Sequence, residues 1–236
     1  MLFSTPLVRG TLLRRYKRFL SDVMLDTGDQ IVAHVANSGA MTGLAEPGME
    51  VWLIHCPKPT RKLPWSWELV RIGEFLVGIN TMHPNGIVAE AILAGTIPEL
   101  DGYTGLRREV AYGQSSRIDL LLSASDRPTC YVEVKNVHLK RGTAACFPDA
   151  VTARGSKHLG ELILMAAAGH RAVMLFLVQR EDCDYFTPAD DVDPVYGRAL
   201  RQALAAGVEA LCYDCRLTLD GIGVYRRLPI RLGGGA

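Results

Sequence analysis

The sequence predicts a two-domain protein of the α/β class, with a small β-barrel followed by an α/β domain on a mixed sheet, an α+β arrangement overall. Its 236 residues are enough for two small domains. The first 80 or so residues hold short β-type runs separated by turn residues, whereas helix and strand patterns alternate from Pro84 onward. We place the two domains at residues 1–82 and 83–236.

The N-terminal part contains a series of short strand candidates. Residues 7–25 predict one or two strands, and the runs IVAHVA, EVWLIHC and LVRIGEFLVGIN follow after turn-forming segments. Short strands with regular turns are typical of small barrels, and the five-stranded OB-like barrel fits this length.

The C-terminal part begins with a helix, IVAEAILA, which Asn85 is expected to cap and which ends at Gly95. Strand candidates REVAYG, RIDLLL and CYVEVKNVHL come next, then a helix over residues 156–168. The apolar run RAVMLFLVQ predicts a strand covered on both faces. Asp193, followed by a proline, starts a further helix that ends at Gly207, before a last strand, VEALCYD. LPIRLGGGA predicts a closing strand and a flexible tail.

Three charged residues interrupt two of these apolar strands. Asp119 lies within RIDLLL, and Glu133 and Lys135 lie within CYVEVKNVHL. Side chains two apart on a strand share a face, so Glu133 and Lys135 project together, and a hairpin pairing would bring Asp119 to the same spot. Such groups are costly to bury unless they bind something.

A divalent cation, Mg²⁺ or Mn²⁺, is the occupant that two carboxylates predict, with the carbonyl oxygen of Val134 as a further ligand. A metal ion with a lysine beside it is typical of phosphodiester hydrolysis, and Lys135 would orient the attacking water or contact the phosphate. The alternative is a structural ion pair between Lys135 and one carboxylate at a sheet edge. That alternative leaves the second carboxylate unexplained.

The order of Asp119 followed by Glu133-x-Lys135 resembles the core motif of PD-(D/E)XK nucleases. The phrases PLVRGTLLRRYKRFLSDV, NSGAMTGL, RKLPWSWELV, SRIDLLL, CYVEVKNV and FPDAVTARGSKHLGEL resemble the sugar fermentation stimulation protein A family over nearly the whole chain. The resemblance implies an OB-like domain, a nuclease-like three-layer α/β domain and DNA binding with a regulatory role in sugar (maltose) metabolism. The alternative is an active Mg/Mn-dependent nuclease acting on DNA or RNA, with Asp119, Glu133 and Lys135 as its catalytic residues.

Glu90, on the first predicted helix of the second domain, is a further metal-ligand candidate. Related nucleases often place an acidic residue on this helix as an outer ligand. A solvent-facing helix glutamate explains the same residue equally well.

Basic side chains predict the nucleic-acid contacts. The segment RRYKR places four cations around one tyrosine on a predicted strand, and a loop near two tryptophans adds more, including Lys58. Cations beside aromatic rings on a barrel suit backbone neutralisation and base stacking. The alternatives are a solvated strand, core tryptophans and an ordinary helix-surface pair between residues 157 and 161. The candidates are Arg14, Arg15, Lys17, Arg18, Arg61, Lys62, Arg117, Lys157 and His158.

The composition limits the classes of protein to which this chain can belong. Apolar residues make up 48% of the chain, charged residues 22%, and the net charge is +1, which excludes a strongly basic protein but not a local basic patch. We expect a cytoplasmic protein, free to associate with the nucleoid and without membrane contact, because no apolar run is long enough to span a bilayer. Cys212 and Cys215 lack the partners that a zinc site needs. The sequence leaves the oligomeric state open, a homodimer included.

Overall fold

The computed structural model describes residues 1–57, 60–113 and 116–233. The N-terminal part is built from β-strands, as the short β-type runs predict. These strands are β1 (Val8–Tyr16), β2 (Leu20–Leu25), β3 (Gln30–Val35), β4 (Glu50–His55), β5 (Trp65–Ile72) and β6 (Phe75–Gly78).

Strands β1 to β5 form a closed ring. They pair in the order β3-β2-β1-β4-β5, and β3 pairs again with β5 in parallel, which closes the barrel and removes its open edges. Fully buried side chains such as Leu12, Leu53 and Trp67 fill the interior. The OB-like barrel is confirmed, and Trp67 belongs to its core, where its indole donates to the Leu69 carbonyl oxygen at 2.8 Å.

The C-terminal part is a mixed sheet between helices. Its main elements are α1 (Pro84–Leu93), a short 3₁₀ helix (Pro98–Leu100), β7 (Gly105–Tyr112), β8 (Ser116–Ser123), β9 (Cys130–Val137), β10 (Leu139–Arg141), β11 (Ala144–Phe147), α2 (Ala153–Ala167), β12 (Arg171–Val178), β13 (Tyr185–Pro188), α3 (Pro194–Ala205), β14 (Glu209–Leu217) and β15 (Ile222–Arg227). The main sheet has the order β15-β14-β12-β9-β8-β7, in which β9, β12 and β14 run parallel and the outer pairs run antiparallel.

Two hydrophobic cores lie on opposite faces of this sheet. Along β12, Val173 and Leu175 pack with α1, whereas Met174 and Phe176 pack with α2 and α3. The predicted three-layer arrangement and the strand covered on both faces are thus confirmed. Strands β10, β11 and β13 form a separate small sheet, which the sequence pattern does not predict.

Side-chain caps mark the first residues of two helices, α2 and α3. The Asp193 carboxylate accepts from the backbone amides of Val195 and Tyr196, which confirms the predicted cap of α3. The Thr152 hydroxyl caps α2, which begins three residues earlier than predicted. The predicted cap of α1 is wrong, because Asn85 lies inside the helix and its amide bonds to side chains elsewhere.

Backbone contacts join the two parts of the chain. The amide of Gly78, at the end of the barrel, donates to the carbonyl oxygen of Gln179, which follows β12, at 2.9 Å. Val77 and Arg180, on either side of this bond, form an antiparallel bridge. The domain division between residues 82 and 83 stays a prediction. In the ranges that the structure describes, the helices are too short or too polar to cross a membrane.

Candidate metal centre

The centre forms where β8 and β9 separate. The two strands pair up to Leu120 and Val132, and continuing that register would place Asp119 opposite Glu133. At this point the backbone amide of Val134 donates to Asp119 Oδ2 at 2.7 Å. The Asp119 carboxylate therefore takes over a hydrogen bond from the strand ladder, which fixes its position beside Glu133.

Glu133 and Lys135 share the face of β9 that looks toward α2, while Val132 and Val134 lie in the core beneath α1, as the strand alternation predicts. Lys135 Nζ donates to Glu133 Oε1 at 2.7 Å. His158 Nδ1, from α2, contacts the same oxygen. These contacts hold one side of the Glu133 carboxylate firmly.

The other side of that carboxylate is left open. Glu133 is only 2% exposed, and its Oε2 atom has no hydrogen-bond partner among the described residues. A buried carboxylate oxygen without a donor costs free energy, about 1–3 kcal/mol or more for a charged group. A positively charged ligand at this oxygen would offset that cost.

The electrostatics of the two carboxylates differ. Burial, reinforced by the negative charge of Glu133, raises the pKa of Asp119 to about 6, although the Val134 amide, Lys135 and Asn85 oppose this rise. Burial would also raise the pKa of Glu133, but the hydrogen bond from His158 and the charge of Lys135 outweigh it and lower that pKa. Glu133 therefore ionises more readily than a free carboxyl group, and Asp119 ionises less readily.

Hard divalent cations fit this donor set. Asp119 and Glu133 offer carboxylate oxygens, and Glu133 Oε2 is free to bind. Across residues 1–57, 60–113 and 116–233, no three His, Cys, Asp or Glu side chains stand close enough to hold a metal ion by themselves. The remaining ligands would have to come from a carbonyl oxygen, as predicted for Val134, from water or from a bound phosphate.

Glu90 does not belong to this centre. Its carboxylate pairs with the N-terminal ammonium of Met1 at 2.5 Å, and the side chain is 60% exposed. The structure therefore does not support the predicted role of Glu90 as a ligand of this centre, because Asn85, which faces the centre, and Glu90 are about 140° apart around the helix. Asn85 is the α1 side chain that reaches the centre, and its amide donates to Asp119 Oδ1 at 2.8 Å.

The two α2 candidates have different environments. His158 is 5% exposed and its imidazole contacts Glu133, so the structure does not support the predicted nucleic-acid contact of this side chain. Lys157 is half exposed and pairs at 3.6 Å with Glu161, which is itself buried and also accepts from the Ser116 hydroxyl at 2.9 Å, so the pair differs from the helix-surface pair that the sequence allows as an alternative.

The basic segment of the barrel bends earlier than predicted. Strand β1 ends at Tyr16, and Lys17 and Arg18 have positive φ angles in the hairpin turn, with both side chains exposed. Arg15 is not available to phosphate, because its guanidinium donates to the carbonyl oxygens of Arg18 and Asn37, each at 2.8 Å. Arg14 pairs with Asp22 at 2.6 Å yet remains largely exposed.

The remaining basic candidates lie apart from that turn. Arg61 donates to the Ser66 hydroxyl at 2.7 Å, and Lys62 beside it is exposed. Arg117 is exposed on β8, two residues before Asp119, as the strand alternation predicts. Lys58 falls outside the described residues.

Comparisons with known proteins agree over both parts of the chain. Residues 13–79 match the family model described as the SfsA N-terminal OB domain, and residues 82–221 match the sugar fermentation stimulation protein RE domain. A sugar fermentation stimulation protein homolog of Paramagnetospirillum magneticum is 65% identical over 232 residues, covering 98% of each chain. One from Rhodospirillum centenum is 61% identical, covering 98% of this chain and 99% of that one. A solved structure described as Pyrococcus furiosus SfsA in complex with Ca²⁺ has a TM-score of 0.89 and 29% identity, with 98% of both chains covered.

Proposed function

Because this chain belongs to the sugar fermentation stimulation protein family, we propose that it binds DNA and presents a divalent metal centre to the phosphodiester backbone. A regulatory role in sugar (maltose) metabolism follows from the family resemblance. The observation that carries the proposal is the buried Glu133 carboxylate with one unpartnered oxygen beside Asp119.

The residues of this centre have two different roles, namely binding the ion and orienting its ligands. Asp119 and Glu133 would hold the ion, and the relative from P. furiosus, described as a complex with Ca²⁺, supports a hard cation at this fold. His158 and Lys135 keep Glu133 in one orientation through its Oε1 atom. When bound, the metal would act as a Lewis acid on a phosphate oxygen and lower the pKa of a coordinated water.

Asn85 and the Val134 amide fix the second carboxylate. Each donates to a different oxygen of Asp119, so the side chain cannot swing toward solvent without losing two hydrogen bonds. A carboxylate held in this way is prepared for the ion before it arrives, which reduces the entropic cost of binding.

Exposed cations would supply the affinity for DNA. Lys17 and Arg18 project from the hairpin turn of the barrel, and Arg117 lies near the centre on β8. Cations that neutralise phosphates release counterions, so binding should weaken steeply as salt rises. Arg15 is excluded from this role, since the barrel's own carbonyl oxygens occupy it.

The test is fluorescence anisotropy with labelled single-stranded and double-stranded DNA over a range of salt concentrations. Asparagine tolerates positive φ, so the variant Lys17→Asn/Arg18→Asn should keep the turn. We expect weaker binding and a salt slope that is lower by roughly one unit for each phosphate no longer neutralised. The control Arg9→Gln/Arg141→Gln removes the same charge from two arginines that already have acidic partners. An equal effect in both variants, or no DNA binding by the wild type at low salt, would contradict the proposal.

A second candidate function is metal-dependent hydrolysis of DNA or RNA. It is favoured by the placement of Lys135, which is largely buried and donates to Glu133, one of the two proposed metal ligands. A Mn²⁺-supplemented cleavage assay, run beside a binding assay in EDTA, tests it. We expect Lys135→Ala and Asp119→Asn to abolish cleavage while leaving binding intact. If the wild type cleaves neither single nor double strands, the binding function stands alone.

A further inference from the structure

Glu109 is an acidic residue close to the metal centre, and no motif in the sequence marks it. Strand β7 pairs with β8 through Arg108 opposite Leu120 and Val110 opposite Ile118. This register places Glu109 across from Asp119, on the other side of β8 from Glu133. Three neighbouring strands therefore each contribute one carboxylate near the point where β8 and β9 separate.

The backbone at Glu109 is strained, and the side chain of Glu109 contacts Asn85 in this conformation. Its φ angle is +52°, a conformation that is unfavourable for a residue with a Cβ atom. In this conformation Glu109 Oε1 accepts a hydrogen bond from the Asn85 amide at 2.9 Å, and the same nitrogen donates to Asp119 Oδ1 at 2.8 Å.

The Asn85 amide thus links two carboxylates without neutralising either. Asp119 already lies beside the buried carboxylate of Glu133, since it accepts from the backbone amide of the next residue, Val134. A further negative charge next to it is unfavourable in the absence of a cation. Together with the buried, unpartnered oxygen of Glu133, this surplus of negative charge is what a divalent ion would offset.

We infer that Glu109 is the third acidic group of the metal centre, in the role that the resemblance to nucleases suggests for Glu90. This inference rests on the proposed metal centre. Glu109 acts from the Asp119 side, with Asn85 between the two carboxylates, so it holds the ion through coordinated water rather than as a close ligand. That role agrees with the finding that no three acidic side chains among the described residues are close enough to bind an ion directly.

Calorimetric titration of the full chain with Ca²⁺ alone tests the inference. Groups that hold coordinated water or ligands typically contribute ten- to a hundredfold to metal affinity. We expect Glu109→Gln to weaken Ca²⁺ binding on the order of tenfold. Glu90→Gln serves as the matched control, because it removes one carboxylate from the same domain, and its affinity should stay within about twofold of wild type.

A second variant separates charge from hydrogen bonding. Glutamine at position 109 keeps an oxygen that can accept from Asn85, whereas alanine does not. Weak Ca²⁺ binding in both Glu109→Gln and Glu109→Ala supports an acidic role. Normal binding in Glu109→Gln with weak binding in Glu109→Ala would overturn it, because Glu109 would then act only by positioning Asn85.

The variant Asp119→Asn distinguishes a failure of the inference about Glu109 from a failure of the proposed metal centre. If the wild type binds Ca²⁺, Asp119→Asn does not and Glu109→Gln matches the wild type, only the inference about Glu109 is overturned. If the wild type binds no Ca²⁺ at all, the proposed metal centre is overturned and the role of Glu109 with it. Thermal melts in EDTA confirm that each variant is folded.

Discussion

Two buried charge clusters in the α/β domain have similar compositions but differ in how many of their carboxylate oxygens accept hydrogen bonds from cations. In the first, Asp182 accepts from Arg180 Nε at 2.6 Å with one oxygen, and from Lys140 Nζ at 2.6 Å and Arg180 Nη2 at 2.9 Å with the other. In the second, Glu133 uses one oxygen only, and Asp119 next to it adds a further negative charge. The first cluster places two cations around one carboxylate, whereas the second places one cation, Lys135, beside two carboxylates.

The pKa values of the two aspartates express this difference. Burial alone would raise the pKa of Asp182, but the hydrogen bonds from Arg180 and Lys140 hold it below the ordinary value. For Asp119, burial and a neighbouring carboxylate prevail, and the pKa rises to about 6. Both aspartates have donors on both oxygens, but the donors to Asp182 are cations, whereas the donors to Asp119 are neutral amides. A metal ion at the proposed centre would supply the positive charge that Asp119 shares only with Lys135.

The largest effect on stability should come from breaking the cluster around Asp182. Arg180→Met leaves Asp182 buried with one partner fewer, and loss of one member of a buried pair costs about 3–5 kcal/mol. Urea denaturation at pH 7 measures this loss. We expect the matched change at the proposed metal centre, Lys135→Met, to cost less, because Lys135 makes one hydrogen bond to Glu133, whereas Arg180 makes two to Asp182 and one to the His138 carbonyl oxygen.

The difference in stability between the wild type and Arg180→Met should also depend on pH. The pKa of Asp182 is lowered on folding, so its contribution to stability is present above the ordinary value of 3.8 and is lost as the pH falls through the folded value. The difference between wild type and Arg180→Met should therefore shrink in acid. A difference that is unchanged well below pH 3.8 would show that packing, not charge, is responsible.

An intermediate effect is expected at Asp193, a buried carboxylate that accepts from three backbone amides. It caps α3 and also accepts from the Thr152 amide at 2.8 Å, just before α2. Asp193→Ala should cost about 2 kcal/mol. Asp190→Ala, which removes a partly exposed ion pair with Arg201, should cost under about 1 kcal/mol. Equal costs would mean that the cap contributes no more than a surface pair.

The smallest change in stability, and of the opposite sign, is expected at the cluster of Asp119 and Glu133. At pH 7 in EDTA, Asp119 is ionised in surroundings that disfavour its charge. Asp119→Asn should therefore be neutral or stabilising by on the order of 1 kcal/mol. Urea denaturation in EDTA tests this, and a loss of several kcal/mol would show that Asp119 is a structural residue like Asp182.

Local patterns in the sequence predict much of this molecule. The alternation at Glu133 and Lys135, the cap at Asp193 and the apolar strand β12 each depend on neighbours within a few residues. The hypothesis of a metal centre also follows from the sequence, because charged residues interrupt apolar strands.

Other features depend on contacts between distant parts of the chain. Asn85 has a typical capping side chain, but Asp119 and Glu109 draw its amide into the centre. Arg15 is captured by carbonyl oxygens from a loop some twenty residues away, which its basic segment does not reveal. The role of Glu109 depends on a strained backbone angle and a strand register, and neither has a signature in the local sequence.

A crystal of the protein soaked in Mn²⁺, with anomalous diffraction recorded at the manganese edge, tests the central claim most directly. We expect one anomalous peak about 2.0–2.6 Å from oxygens of both Asp119 and Glu133, with Glu133 Oε2 among them. A fully soaked crystal with no peak between these carboxylates, or with manganese bound only elsewhere, would contradict it.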